Sequence, residues 1–224
     1  MPTINYLTRI EFDFGAIAAL GSEIEKMGVK RPLLVTDRGI ADAGILQRAL
    51  DAAAPSRSIV YAGTTENPTE QSLLDCLDIW NDKGCDGVIA LGGGSPIDLA
   101  KAVALLTSHG GSLANYNVKT GGSAKIGKVS PQIAIPTAAG TGAEVGRACV
   151  MSLLDGSKMV AVNLNMVADL VICDPELTHS LPPRLTAATG IDALTQLLDP
   201  FTCRRANPLT DALCREAIPR AARA

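Results

Sequence analysis

Along this chain, short apolar runs alternate with stretches in which apolar residues return every three or four positions. Residues 32–37, PLLVTD, are apolar until a polar turn ends them, the pattern of a strand buried on both faces. Residues 39–53 carry Ile40, Ala43, Leu46 and Leu50 at helical spacing. SIVYAG (58–63) reads as a second strand, and Pro68 opens a helix running to about Lys83, since proline suits a first helical turn. DGVIALGGG (86–94) and SPQIAIPT (130–137) read as two more strands, with a helix from Pro96 to Thr107 between them. The order β-α-β-α-β-α-β predicts an α/β fold, a Rossmann-like parallel sheet with helices on both faces.

Beyond residue 150, VMSLL, MVAVN and DLVIC read as short strands. From Pro182 the strand pattern gives way to helical spacing. The expected organisation is therefore an α/β domain over 1–182, then the start of an all-helical domain over 183–224. Pro219 is expected to break the last helix. The glycine-rich stretch between Ser108 and Ser130 is long for a compact domain and reads as functional or mobile.

Composition removes several classes of function. Apolar residues make up 47% and charged residues 19%, an ordinary globular balance. A net charge of −3 and only 3% aromatics argue against a nucleic-acid partner or an anionic membrane. The N-terminal stretch has acidic residues and no apolar signal region, and no run approaches a membrane span. The six cysteines form no C-x-x-C pair and read as reduced core thiols of a cytoplasmic protein. His109 and His179 lie 70 residues apart and belong to no metal-ligand pattern.

Three stretches carry candidate chemistry. In GGGSPID the glycines end a strand and a helix follows. Without Cβ atoms, Gly93 and Gly94 let backbone N–H groups approach a phosphate, and the helix N-terminus adds a partial positive charge. Ser95 and Asp98 read as a capping box, so the same stretch also fits a well-capped turn with no ligand. Asp37, just past the first strand, fits either a ribose-binding carboxylate or a helix cap. In PTAAGTGAE, Thr137 and Thr141 offer hydroxyls beside two glycines, and Thr141 with Glu144 reads as a second capping box. ENPT places Asn67 and Thr69 at another strand end. Polar turns at successive strand ends favour a nucleotide site over decoration.

Together VTDRG, ENPT, GGGSPIDLAKA, PTAAGTGAE, DLVICDPELTHSLPPRLTAATGIDAL and ANPLTDALCREAI resemble the iron-containing alcohol dehydrogenase family over essentially the whole chain. The resemblance implies NAD as cofactor, bound by the α/β domain. It also implies a divalent metal, iron or zinc, in the helical domain, and a small alcohol or aldehyde as substrate. By position it makes Asp37 the ribose contact, Gly93, Gly94 and Ser95 the pyrophosphate loop, and Asp98 the acid after that loop. Asn67, Thr137, Thr141 and Lys158 become further cofactor contacts. A homo-oligomer is expected.

The departures from the family are specific. Its first two metal ligands are an Asp and a His one helical turn apart, but here Asp192 is followed by Gln196, a much poorer transition-metal ligand. The family's later histidines have no counterpart here. The expectation is therefore a truncated, inactive dehydrogenase chain with no tightly held metal. The alternatives are a nucleotide-binding pseudoenzyme or a metal-independent reductase resembling maleylacetate reductases. A lyase resembling dehydroquinate synthase ranks last.

Overall fold

The computed structural model describes residues 8–54, 58–204 and 206–223. Residues 1–7, where the N-terminal stretch was read for a leader, lie outside them. The elements begin with β1 (Arg9–Phe12), α1 (Leu20–Lys26), β2 (Pro32–Val35), α2 (Arg38–Asp42) and α3 (Ile45–Ala53). β3 (Ile59–Tyr61), α4 (Glu70–Lys83), β4 (Gly87–Gly92), α5 (Gly94–His109) and β5 (Gln132–Pro136) follow. β6 (Ala148–Ser152), β7 (Lys158–Val162), β8 (Leu170–Cys173), α6 (Pro183–Thr202) and α7 (Pro208–Ala221) complete the order.

Six strands form one parallel sheet in the order β1-β8-β5-β4-β2-β3. Strand alternation sends Leu33, Val35, Val88 and Ala90 to one face, against α4, α5 and the β6–β7 hairpin. Leu34, Ile89, Leu91, Ile133 and Ile135 go to the other, against α1 and α3. Both faces are covered, which is why β2, β4 and β5 read as continuous apolar runs. From β2 the chain crosses outward to β3, and from β4 it crosses the other way to β5. The topological switch therefore lies between β2 and β4, where doubly wound sheets bind ligands.

Several expectations are corrected. The helix expected over 39–53 is two helices, because Gly44 turns at φ 75° between α2 and α3. VMSLL and MVAVN are strands as read, β6 and β7, but they pair with each other antiparallel as a hairpin apart from the parallel sheet. β1 was not anticipated, although Ile10, Phe12 and Phe14 alternate as strand residues do. The long stretch before β5 packs as short 3₁₀ turns that bury Leu113, Tyr116 and Ile126. His109 belongs to this packing: its Nε2 accepts from the Gly127 N–H at 2.8 Å. α7 runs through Pro219 to Ala221; in the last turn of a helix, one lost backbone bond does not end it. No described helix is long and apolar enough to cross a membrane.

Candidate functional site

The carboxyl ends of β2, β3, β4 and β5 open into a cleft of about 870 Å³. β2 delivers Asp37, β3 delivers Thr64 and Glu66, β4 delivers Gly93, Gly94 and Ser95, and β5 delivers Thr137. Leu181, Leu185 and Thr189 close the cleft from the start of the helical region. The wall is mainly apolar with a few polar groups, the usual make-up of a cofactor site.

The three consecutive glycines have distinct jobs. Gly92 has φ +143°, and a Cβ there would lie 2.7 Å from Pro96 Cγ. Gly94 packs against the next loop, since a Cβ would lie 3.2 Å from Thr141 Oγ1. A Cβ on Gly93 would meet nothing within 4 Å, so this backbone faces open cleft at the N-terminus of a 16-residue helix. That is the geometry that receives a phosphate.

The capping boxes read from the sequence do not form. Gly93, not Ser95, is the N-cap of α5. The Ser95 hydroxyl instead donates to Glu66 O, tying the β4 and β3 ends together across the cleft. Asp98 accepts the Val150 N–H at 3.0 Å, so its carboxylate serves the hairpin. Thr141 Oγ1 accepts the Ala143 N–H at 3.2 Å, and Gly142 precedes the 3₁₀ turn containing Glu144. At Asp37 the cap reading holds: Oδ1 accepts the Ile40 N–H at 2.9 Å, while the residue also lines the cleft.

The structure thus gathers Asp37, Gly93, Gly94, Ser95 and Thr137 around one cleft. Asn67, Asp98, Thr141 and Lys158 are not among its lining residues. Lys158 Nζ donates to Asn67 Oδ1 at 3.3 Å, one residue beyond Glu66. Thr64 was missed by the sequence reading. The residue is 9% exposed, it lines the cleft, and its hydroxyl has no partner among the described residues. No motif marks it; only burial together with an unmet hydrogen bond does.

Behind the cleft, burial holds the Asp98 carboxyl up at about 6, against the opposing pull of the Val150 N–H and Lys101. Burial also pulls Lys101 below the usual lysine range, with Asp98 working against it. The last expected site lies on α6. A Cβ on Gly140 would lie 3.2 Å from Asp192 Oδ2, so Asp192 reaches the Thr137–Gly142 loop. Gln196 is exposed. Among the described residues, no three His, Cys, Asp or Glu side chains are placed to hold a metal. These residues do not, by themselves, fit iron or zinc.

A parallel sheet with its cleft at the switch point, and a glycine turn feeding a long helix there, defines a doubly wound α/β protein of the nucleotide-binding type. The family model described as iron-containing alcohol dehydrogenase matches residues 8–175, and the chain belongs to that family. It is 44% identical over 221 residues to a 4-hydroxybutyrate dehydrogenase of Cupriavidus necator, covering 98% of this chain and 58% of the relative. A crystal structure of sulfoacetaldehyde reductase from Bifidobacterium kashiwanohense in complex with NAD+ is similar with TM-score 0.90 and 30% identity. It covers 99% of this chain and 58% of that one. A 1,3-propanediol oxidoreductase structure is similar with TM-score 0.89 and 31% identity, covering 100% of this chain and 58% of that one. The chain thus spans somewhat over half the length of these relatives.

Proposed function

We propose that this chain binds NAD(H) in the β2–β5 cleft, as the cofactor-binding part of an oxidoreductase that interconverts a small alcohol and its aldehyde. The observation that carries the reading is the open Gly93 backbone at the α5 N-terminus, facing the same cleft as Asp37. Gly93 and Gly94 would receive the pyrophosphate. Asp37, with Oδ1 committed to its cap, would offer Oδ2 to a ribose hydroxyl. The Thr64 hydroxyl, without a partner among the described residues, would hydrogen-bond the cofactor. Leu181 and Leu185 would exclude water from one wall. The bound nicotinamide would supply the hydride acceptor or donor; these residues hold and orient it. The names of the relatives, a 4-hydroxybutyrate dehydrogenase and a sulfoacetaldehyde reductase with NAD+, support an alcohol or aldehyde substrate.

Asp192 and Gln196 are not by themselves a sufficient donor set for a catalytic metal. Gln196 favours one second reading, a nucleotide-binding or reductase role that needs no metal. Calorimetric titration with NAD+ and NADP+ tests the main proposal. The wild-type chain should prefer NAD+ by at least about 10-fold, because the Asp37 carboxylate repels a 2′-phosphate. Asp37→Ala should narrow that preference. Equal wild-type affinities for the two cofactors would overturn the assignment of Asp37.

A further inference from the structure

We infer that Lys101 and Asp98, one turn apart on α5, are positioning residues that clamp the Thr137–Gly142 loop and the β6–β7 hairpin onto the cofactor cleft. This rests on the NAD reading above for the cleft's occupant, but the clamp itself rests on geometry. Lys101 is only 1% exposed, and its ammonium donates to three backbone carbonyls of one segment. These are Ala143 O at 2.6 Å, Gly146 O at 2.5 Å and Ala148 O at 3.3 Å. A buried ammonium is stable only when its protons are used, and here they are used on the chain that leaves the loop. One helical turn earlier, Asp98 takes the Val150 N–H at 3.0 Å. α5 therefore holds residues 143–150 at four backbone points.

The other end of the loop is held as well. The Thr137 N–H donates to Gly92 O at 3.1 Å, on the strand that leads into α5. The loop is thus strung between two anchors on the same β4–α5 unit, and its middle has little freedom. Along that middle, Thr141 packs on Gly94 and Gly140 packs on Asp192 and Thr189 of α6. One face of the loop touches the phosphate-binding turn, and the other touches the carboxylate that the family uses for its metal. Lys101 touches neither ligand site. It sets the spacing between them by holding the loop that separates them. The ionisable groups facing the pair are Cys149 and Glu144 from the clamped segment. Both belong to the element being held, so the contact is one unit.

The test uses the 224-residue chain with two readouts. The first is amide exchange over 141–152, normalised to intrinsic rates, with β4 amides as the internal standard for global folding. The second is NADH affinity and bound-NADH fluorescence. Lys101→Met should speed exchange over 141–152 by at least about 10-fold while β4 stays protected, and should weaken NADH by a similar factor. Asp98→Ala should do the same more mildly, and Asp98→Asn, which keeps the acceptor for Val150, should restore both readouts. If Lys101→Met loses β4 protection, the Asp98→Ala and Asp98→Asn pair decides. Unchanged exchange in the variants overturns the clamp, and faster exchange with full NADH affinity overturns its positioning role. A wild-type chain that binds no NADH overturns the cofactor reading instead, and the clamp is then judged on exchange alone.

Discussion

Gly92 and Gly93 are neighbours with opposite constraints. Gly92 sits at φ +143° with Pro96 Cγ 2.7 Å from where a Cβ would be. Gly93 has an ordinary φ of −79° and faces empty cleft. Gly92→Ala should therefore cost about 1–3 kcal/mol of stability, from strained backbone and a blocked methyl. Gly93→Ala should unfold close to wild type in urea but weaken NADH, because its methyl occupies the space offered to the phosphate. Equal effects of both substitutions on stability would sink this division of labour. Thr64 gives a complementary case. Its buried hydroxyl has no partner among the described residues, so Thr64→Val should leave stability unchanged or raised. If the hydroxyl meets the cofactor, the same change weakens NADH several-fold. Unaltered affinity would remove Thr64 from the site.

Among the elements, the hairpin's attachment to α5 has a pH signature of unusual sign. Burial raises the docked Asp98 carboxyl to about 6 from 3.8. Between those values the docked state holds more proton than a released hairpin would. Docking is therefore weakest above pH 6, strengthens as the pH falls through 6, and gains nothing more below 3.8. Normalised amide exchange over β6 should slow between pH 7.5 and pH 5, and Asp98→Asn should flatten the response. Faster exchange on acidification would show that the attraction of the Lys101 charge for the Asp98 carboxylate outweighs desolvation. Which elements are legible in the sequence follows from how each is stabilised. β2, β4 and β5 are buried on both faces and announce themselves as apolar runs. Gly93, Gly94 and Asp37 are legible because a turn at a strand end needs those residue types. The capping boxes are not, because Ser95 and Asp98 are claimed by Glu66 and Val150. Those partners lie 29 and 52 residues away, and no local pattern records them. The split at Gly44 is hidden for another reason: the apolar spacing continues across it while the backbone does not.

At the scale of the whole molecule, the two ends of the chain are unequal. α6 buries no side chain, and of α7 only Cys214 is buried. Leu185, Ile191, Leu198, Phe201, Leu209 and Leu213 are exposed on this pair, a concentration of apolar surface that promotes association. Amide exchange should find 183–223 less protected than 87–109, with concentration-dependent self-association by sedimentation. Strong protection of both regions in a monomer would contradict this. Elemental analysis of chain purified without chelator should find no stoichiometric iron or zinc. About one metal per chain, lost in Asp192→Ala, would overturn that expectation.

The opposite end bears on how the chain is made. β1 pairs with β8 alone, Arg9 opposite Leu170 and Phe12 opposite Cys173. The turn after β1 is held by Asp174, which accepts the Gly15 and Ile17 N–H groups at 3.1 and 3.3 Å. During synthesis β1 therefore cannot find its place until β8 has left the ribosome. Ile10 and Phe12 must wait in solvent while the sheet grows from β2 outward, a long-range closure of the slow kind. A chain halted near residue 165 should protect β2 and β4 amides yet leave Arg9–Phe12 exchanging freely. Adding the next ten residues should bring that first strand into register in a single step.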